Sequence, residues 1–203
     1  MDRRLKKSLA EVAAFYDARK VGDVGPLGFR RSSDMATLLA CVDRLVSEGL
    51  LEPGVTTFLD LGCGDGRVNL LFSFLVRRSV GIEIDEWTLD EYDDTLPILR
   101  RRLGDSGLPT PPDNISLFCG DSTDERIHQD IFKQTGLAID RFDLFYTYLI
   151  MHHEFAALLN EKARKGAVFM VYGLQKILPH YDGFRHLDGL SPMEGILALY
   201  QKL

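Results

Sequence analysis

The sequence has little of what marks several classes of protein. Its three cysteines, Cys41, Cys63 and Cys119, are scattered and show no Cys-x-x-Cys spacing. We therefore expect no metal site and no disulfide framework, and free thiols suit a reducing compartment. No internal repeat or low-complexity segment is present.

Long apolar runs are also missing. No stretch approaches the ~20 apolar residues that a membrane span requires, and the first residues, MDRRLKKSLAEV, contain no apolar signal segment. We expect a cytoplasmic protein without a membrane span. The sequence does not indicate an oligomeric state.

An excess of basic residues is a third missing feature. The formal net charge is −6, and the basic clusters at 3–7 and 99–103 are short. Such clusters are more often solvated helix faces than nucleic-acid grooves, so a nucleic-acid partner is disfavoured.

What the chain does contain is a change of pattern near residue 53. Before it, apolar residues recur at helical spacing over 3–18 and again from 35, after a serine–aspartate capping signal. We expect residues 1–52 to form an N-terminal helical extension or lid, and residues 53–203 to form the main domain.

In the main domain, apolar β-branched runs alternate with helical stretches. The runs predict strands at 56–61, 79–84, 115–119, 142–146 and 167–172. The stretches between them predict helices at 67–75, 87–103, 124–134 and 152–164, and Pro97 is expected to kink or split the second. This alternation predicts an α/β fold in three layers, αβα, around a Rossmann-like, doubly wound and mostly parallel sheet. FRHLDGL and ILALYQKL, near the end, predict a C-terminal antiparallel hairpin.

A glycine-rich turn, GCGDG, follows the first predicted strand, and the second strand ends in GIEID. Glycines let a ligand approach the backbone, and ligands of open α/β sheets lie beyond the carboxyl ends of the strands. Glu83 ends the second strand, where a carboxylate can accept both ribose hydroxyls of a nucleoside. Asp60 and Asp65 beside the turn would repel a dinucleotide's pyrophosphate, but they suit the cationic groups of S-adenosylmethionine.

These motifs resemble those of the class I, seven-β-strand S-adenosylmethionine-dependent methyltransferases. DLGCGDG is similar to their first motif, GIEID to their second, and LFCGDSTD to the end of their third strand. The resemblance implies S-adenosyl-L-methionine as cofactor, with S-adenosyl-L-homocysteine as product. It also implies cofactor contacts, which would come from Asp60, Gly62, Gly64, Asp65, Glu83, Asp121 and Ser122.

Three further residues near this motif set have two interpretations each. Trp87 either lies along the adenine or packs in the core. Arg67 either steadies the glycine turn or caps its helix, and Phe29 either closes over the cofactor or anchors the N-terminal helices.

In the family that these motifs resemble, the end of the fourth strand usually faces the methyl acceptor. Here that stretch reads DLFYTYLIMHHEF. It lacks the Asn/Asp-Pro-Pro-aromatic and Pro-Cys motifs of nucleic-acid methyltransferases. TYL, DLGCGDGRV and GIEIDEWTL are similar to small protein-lysine methyltransferases related to those of the ATP synthase c-subunit and the adenine nucleotide translocase. That group commonly has proline after the tyrosine–leucine pair, where this chain has Ile150.

The resemblance implies a methyltransferase that acts on a protein lysine. A small-molecule methyltransferase and a non-catalytic cofactor-binding module are the alternatives. Tyr146 and Tyr148 are the candidate catalytic residues lining an acceptor pocket, and packing against a covering helix is the other interpretation of each. His152 and His153 either supply a base or form a solvated helix start.

Overall fold

Seven strands form one sheet in the order β3-β2-β1-β4-β5-β7-β6. A computed structural model describes residues 2–19 and 32–203 of the chain. The strands are β1 Thr57–Leu61, β2 Arg78–Glu83, β3 Ile115–Cys119, β4 Leu144–Tyr148, β5 Val168–Tyr172, β6 Phe184–His186 and β7 Leu197–Lys202. β1 to β5 pair in parallel, and β7 runs antiparallel between β5 and β6. The predicted parallel sheet and terminal antiparallel hairpin are confirmed.

Helices cover both faces of the sheet. They are α1 Arg3–Asp17, α2 Met35–Ser47, α3 Arg67–Ser73, α4 Glu86–Asp105, α5 Glu125–Thr135 and α6 His152–Lys162, with a short 3₁₀ turn at Ile139–Arg141. None of the described helices is both long and apolar enough to cross a membrane.

Two expectations about individual elements are wrong. β4 runs from Leu144 to Tyr148 rather than over 142–146, because its pairing with β5 continues through Thr147 and Tyr148. α4 continues through Pro97, which lies on its exposed side, so the expected split is wrong, whereas a kink there stays a prediction. A proline there removes one backbone N–H donor, and packing of Leu99 and Leu103 in the core holds the following turns in place.

One buried cluster joins the N-terminal helices to the sheet. Side chains of α1 and α2, such as Leu9, Tyr16 and Leu38, share this core with Phe58 of β1 and Phe72 of α3. Because residues two apart on a strand face the same side, Phe58 and Asp60 point toward this helical layer. The second cluster lies on the opposite face, under α5 and α6. The N-terminal helices therefore lie on the same face of the sheet as α3, the helix that follows the glycine turn.

Phe58 and Phe72 are fully buried and stack with their ring centroids 4.1 Å apart, directly behind the glycine turn. Replacing Phe72 by alanine is expected to lower the free energy of unfolding by about 3–5 kcal/mol, because a cavity is left between β1 and α3. Urea unfolding followed by circular dichroism measures this. Phe132→Ala, at a half-exposed position on α5, is the control and is expected to cost less than about 1 kcal/mol.

Candidate active site

A pocket opens where β1 and β4 end. Its wall is formed by the glycine turn, by two tyrosines of β4 and by the residues just before α2: Ser32, Ser33, Asp60, Gly62, Cys63, Gly64, Asp65, Arg67, Val68, Tyr146 and Tyr148. Six of the residues predicted from sequence thus meet in one place. They are Asp60, Gly62, Gly64, Asp65, Tyr146 and Tyr148.

Asp60 is the most unusual group in this wall. Its strand neighbours are Gly81 on β2 and Tyr146 on β4. The side chain is 1% exposed, and neither carboxylate oxygen has a hydrogen-bond partner among the described residues. Burial, together with the negative charges of Glu83 and Asp65, raises the pKa of Asp60 well above its usual range. A buried carboxylate of this kind is costly unless a cation joins it.

The glycine turn is fixed by backbone bonds to β2. The N–H groups of Gly62 and Cys63 both donate to the carbonyl of Ile82, at 2.9 and 2.8 Å. Gly62 has a φ of 105°, which side-chain-bearing residues rarely adopt. At Gly66 a Cβ would lie 2.8 Å from the Tyr92 ring and 2.9 Å from Leu117. The turn therefore packs closely against Tyr92 and Leu117 at Gly66, and its backbone at Gly62 and Gly64 lines the pocket.

Glu83 braces the same turn from the end of β2. One carboxylate oxygen accepts the Gly64 N–H at 2.8 Å, and the other accepts the Asp85 N–H at 3.0 Å. A carboxylate offers about four acceptor positions, so further donors such as ribose hydroxyls can still bind. Glu83 lies outside the pocket wall itself but is joined to it through Gly64.

Asp65 and Arg67 form an ion pair inside the turn. The guanidinium donates to both carboxylate oxygens at 2.8 Å, and both side chains are nearly buried. The guanidinium carbon also lies 5.2 Å from the centre of the Tyr16 ring in α1. Of the two interpretations of Arg67, the structure favours the one in which it steadies the turn. Asp65 faces the pocket already engaged by this arginine.

Two tyrosines of β4 line the pocket, and a third, Tyr172 of β5, packs against both of them. Tyr146 and Tyr148 lie on the same face of β4, and Tyr148 pairs in register with Tyr172 of β5. The Tyr146 hydroxyl shares a short hydrogen bond with Ser33, and the Asp34 N–H donates to the Tyr172 hydroxyl at 3.1 Å. Burial raises the pKa of Tyr172 to about 12, so its hydroxyl stays protonated at neutral pH. The residues before α2 are therefore held against this aromatic wall.

The remaining predicted residues lie along the same edge of the sheet but outside the pocket. Asp121 is exposed, and one of its oxygens accepts the N–H and hydroxyl of Thr123, the bonds that lower its pKa. Ser122 is buried, and its carbonyl contacts His128. Trp87 is 81% exposed, so the expectation that it packs in the core is wrong. Phe29 lies outside the described residues.

His152 and His153 lie at the start of α6. Nδ1 of His152 is 2.5 Å from the Tyr181 hydroxyl, and His152 is partly buried, whereas His153 is exposed. Burial and the neighbouring His153 lower the pKa of His152, which keeps it neutral at physiological pH. Within residues 2–19 and 32–203, no three histidine, cysteine or acidic side chains are grouped in a way that could hold a metal ion.

Sequence reasoning missed Ser32, Ser33 and Tyr172. The position of Tyr172 could have been predicted from the sequence, because alternation along VFMVY places it on the same face as Met170. Met170 pairs with Tyr146. No sequence pattern indicates Ser32 and Ser33, because their approach to the pocket depends on how α1 and α2 pack. Asp17, the last residue of α1, accepts the N–H groups of Met35 and Ala36 and so fixes the start of α2.

Comparison with known proteins identifies the fold. Neither a scan against protein-family models nor a search of curated proteins found a match. Among solved structures, the putative methyltransferase yhhF from Escherichia coli superposes with a TM-score of 0.54 at 16% identity, covering 91% of this chain and 93% of its own. The tRNA (m1A58) methyltransferase TrmI from Aquifex aeolicus gives 0.54 at 14% identity, covering 96% and 76%. The putative methylase HI0767 from Haemophilus influenzae gives 0.52 at 18%, covering 80% and 96%.

The chain therefore has the fold of the class I methyltransferases, with its seven-stranded sheet and reversed β7. The resemblance inferred from the motifs is confirmed at the level of the fold. The narrower resemblance to protein-lysine methyltransferases stays a prediction.

The raised pKa of Asp60 predicts a pH-dependent cost to stability. The folded protein keeps a proton on Asp60 that the unfolded chain releases above its pKa of ~3.9, so stability falls as pH rises above that value. Asp60→Asn removes this titration. Without ligand, the variant is expected to unfold at higher urea than the wild type at pH 8, and the advantage is expected to shrink toward pH 4.

Urea midpoints at four pH values measure the difference between the two proteins. A difference that does not change with pH contradicts the burial of an ionisable Asp60 without a cationic partner. Asp130→Asn, at an exposed position on α5, is the matched control.

Proposed function

We propose that the chain is an S-adenosylmethionine-dependent methyltransferase. One observation carries the proposal: the buried carboxylate of Asp60, which has no hydrogen-bond partner among the described residues, lines a pocket formed by a glycine turn. An aliphatic ammonium has three N–H donors and no acceptor. The ammonium of the methionine part of this cofactor is therefore a suitable partner for Asp60.

The other residues of the site also suit S-adenosylmethionine. The bare backbone at Gly62 and Gly64 admits close approach of the methionine part, and Glu83 keeps acceptor positions for the ribose hydroxyls. Asp121 remains the proposed partner of the adenine amino group, beside Ser122, and Trp87 the proposed surface along the adenine. When bound, the cofactor supplies a methyl group on a positively charged sulfur.

The acidity of the pocket argues against a dinucleotide. Asp60, Asp65 and Glu83 lie together, and the one described cation of the wall, Arg67, is already paired with Asp65. A pyrophosphate would meet repulsion there, whereas S-adenosylmethionine carries two cationic groups that offset its carboxylate.

The acceptor that we propose is a protein lysine. Deprotonating a lysine amine from its pKa of ~10.4 at pH 7 costs about 4.6 kcal/mol. Desolvation lowers this cost because it disfavours the cation. Tyr146, Tyr148 and Tyr172 offer such an aromatic wall, and their part in the reaction is to exclude water and to orient the nitrogen. A small-molecule amine would use the same wall.

Binding of the cofactor tests the proposal first. Isothermal titration calorimetry is expected to give micromolar binding of S-adenosylmethionine and S-adenosylhomocysteine and none of NAD. Glu83→Ala is expected to weaken this binding by about 10- to 100-fold, corresponding to the roughly 1.5–3 kcal/mol of a charge-assisted hydrogen bond. Glu83→Gln keeps one acceptor oxygen and is expected to lose less.

Glu161→Ala, at an exposed position on α6, is the control for Glu83→Ala and should bind as the wild type does. Binding of NAD in preference to the two methyl-cycle ligands would falsify the proposal.

Substitutions of the two β4 tyrosines test methyl transfer separately from cofactor binding. Tyr146→Phe and Tyr148→Phe are expected to retain S-adenosylhomocysteine affinity within about twofold. They are expected to lower the rate of methyl transfer to lysine-containing protein by at least about tenfold, since a misplaced nucleophile can cost about 100-fold. Transfer of a radiolabelled methyl group measures the rate. Tyr200→Phe, which removes a buried hydroxyl on the opposite face of the sheet, is the control.

Full activity of both β4 variants contradicts the acceptor-site assignment. Cofactor binding with no methyl transfer to protein, RNA or small amines supports the alternative, a non-catalytic binding module.

A further inference from the structure

Exposed apolar side chains gather around the mouth of the pocket. Five of them follow the carboxyl ends of parallel strands, and we call them the rim: Ile84 and Trp87 after β2, Ile150 and Met151 after β4, and Ile177 after β5. Trp87 and Ile177 are 81% and 87% exposed. Large apolar residues grouped at one edge are typical of interaction surfaces, whereas isolated ones need no explanation.

The rim is continuous with the pocket wall. β2 and β4 are the two neighbours of β1, so the rim residues that follow these two strands lie on either side of the strand that leads into the glycine turn. Ile150 is tied to the wall, since its N–H donates to the Tyr148 carbonyl at 2.5 Å. A segment bound over Ile150 therefore lies next to Tyr148.

Carboxylates are interspersed with the rim residues. Asp85 and Glu86 lie beside Trp87, and Glu154 lies in the first turn of α6 after Met151. The described loop after β5 contributes a single lysine, Lys176. The surface is therefore apolar and acidic, which attracts a cationic partner and repels the phosphates of a nucleic acid.

We propose that the rim is the docking surface for a basic, amphipathic protein segment that presents the methyl acceptor to the pocket. This inference rests on the proposed function and specifies its substrate class. Apolar side chains of the segment cover the rim, and its lysines face the carboxylates. One lysine lies over the pocket bounded by Tyr146 and Tyr148.

The test uses a fluorescein-labelled 14-residue peptide of leucines and lysines. Two comparison probes have the same label: a peptide with serine in place of every leucine, and a 20-nucleotide single-stranded RNA. Fluorescence anisotropy is recorded with saturating S-adenosylhomocysteine. The leucine–lysine peptide is expected to bind at least about tenfold more tightly than either comparison probe, because a few buried apolar anchors dominate binding.

Variants locate the contact. Ile177→Glu and Ile150→Glu are each expected to weaken binding of the leucine–lysine peptide by at least about tenfold. Val55→Glu and Phe132→Glu place the same charge at exposed apolar positions away from the rim and are expected to leave the affinity within about twofold. Equal binding of the serine peptide, tighter binding of the RNA, or identical affinities of rim and control variants overturns the inference.

Calorimetry with S-adenosylhomocysteine on the same proteins separates this inference from the proposed function. Cofactor binding that is intact in all variants, together with no selective peptide binding, rejects the docking surface alone. Absence of cofactor binding in the wild type rejects the proposed function, and the docking inference with it.

Discussion

The carboxylate of Asp60 is placed at the end of β1 without a described group to neutralise it. On one side its strand neighbour is a glycine, and on the other it is Tyr146, whose hydroxyl is already bonded to Ser33. Water is largely excluded as well, so ionisation is disfavoured until a cation enters. A protein that keeps such a group gives up stability in the ligand-free state, and this arrangement is typical of sites that bind a charged ligand.

Small residues behind the turn make that placement possible. A side chain at Gly81 would meet Asn69 at 2.6 Å and Cys63 at 2.8 Å. The turn can therefore pack directly on β2, where its N–H groups reach the Ile82 carbonyl. Because β2 holds one side of the turn in this way, the other side of Gly62 faces the pocket. The glycines thus serve packing and ligand access together.

Local signals were sufficient for most of the fold, and for the half of the site that the glycine turn forms. The period-2 and period-3.6 patterns identified the strands and helices, and the acidic end of β2 placed Glu83 correctly beside the turn. The shift of β4 by two residues follows its pairing with β5, and the continuity of α4 through Pro97 follows core packing on both sides of the proline; local propensity reports neither. For Trp87 the sequence left two interpretations open, and its exposure removes only the one in which it packs in the core. Ser33 was missed since nothing near it in the chain indicates Tyr146, 113 residues away.

The N-terminal helices are bound to the site by polar as well as apolar contacts. Tyr16 of α1 lies against Arg67, while Ser33 and Asp34 bond to Tyr146 and Tyr172. Asp17 joins the end of α1 to the start of α2. The tyrosine hydroxyls beside the pocket therefore also hold the residues that lead into α2. The position of the N-terminal layer and the shape of the pocket wall are thus set by the same contacts.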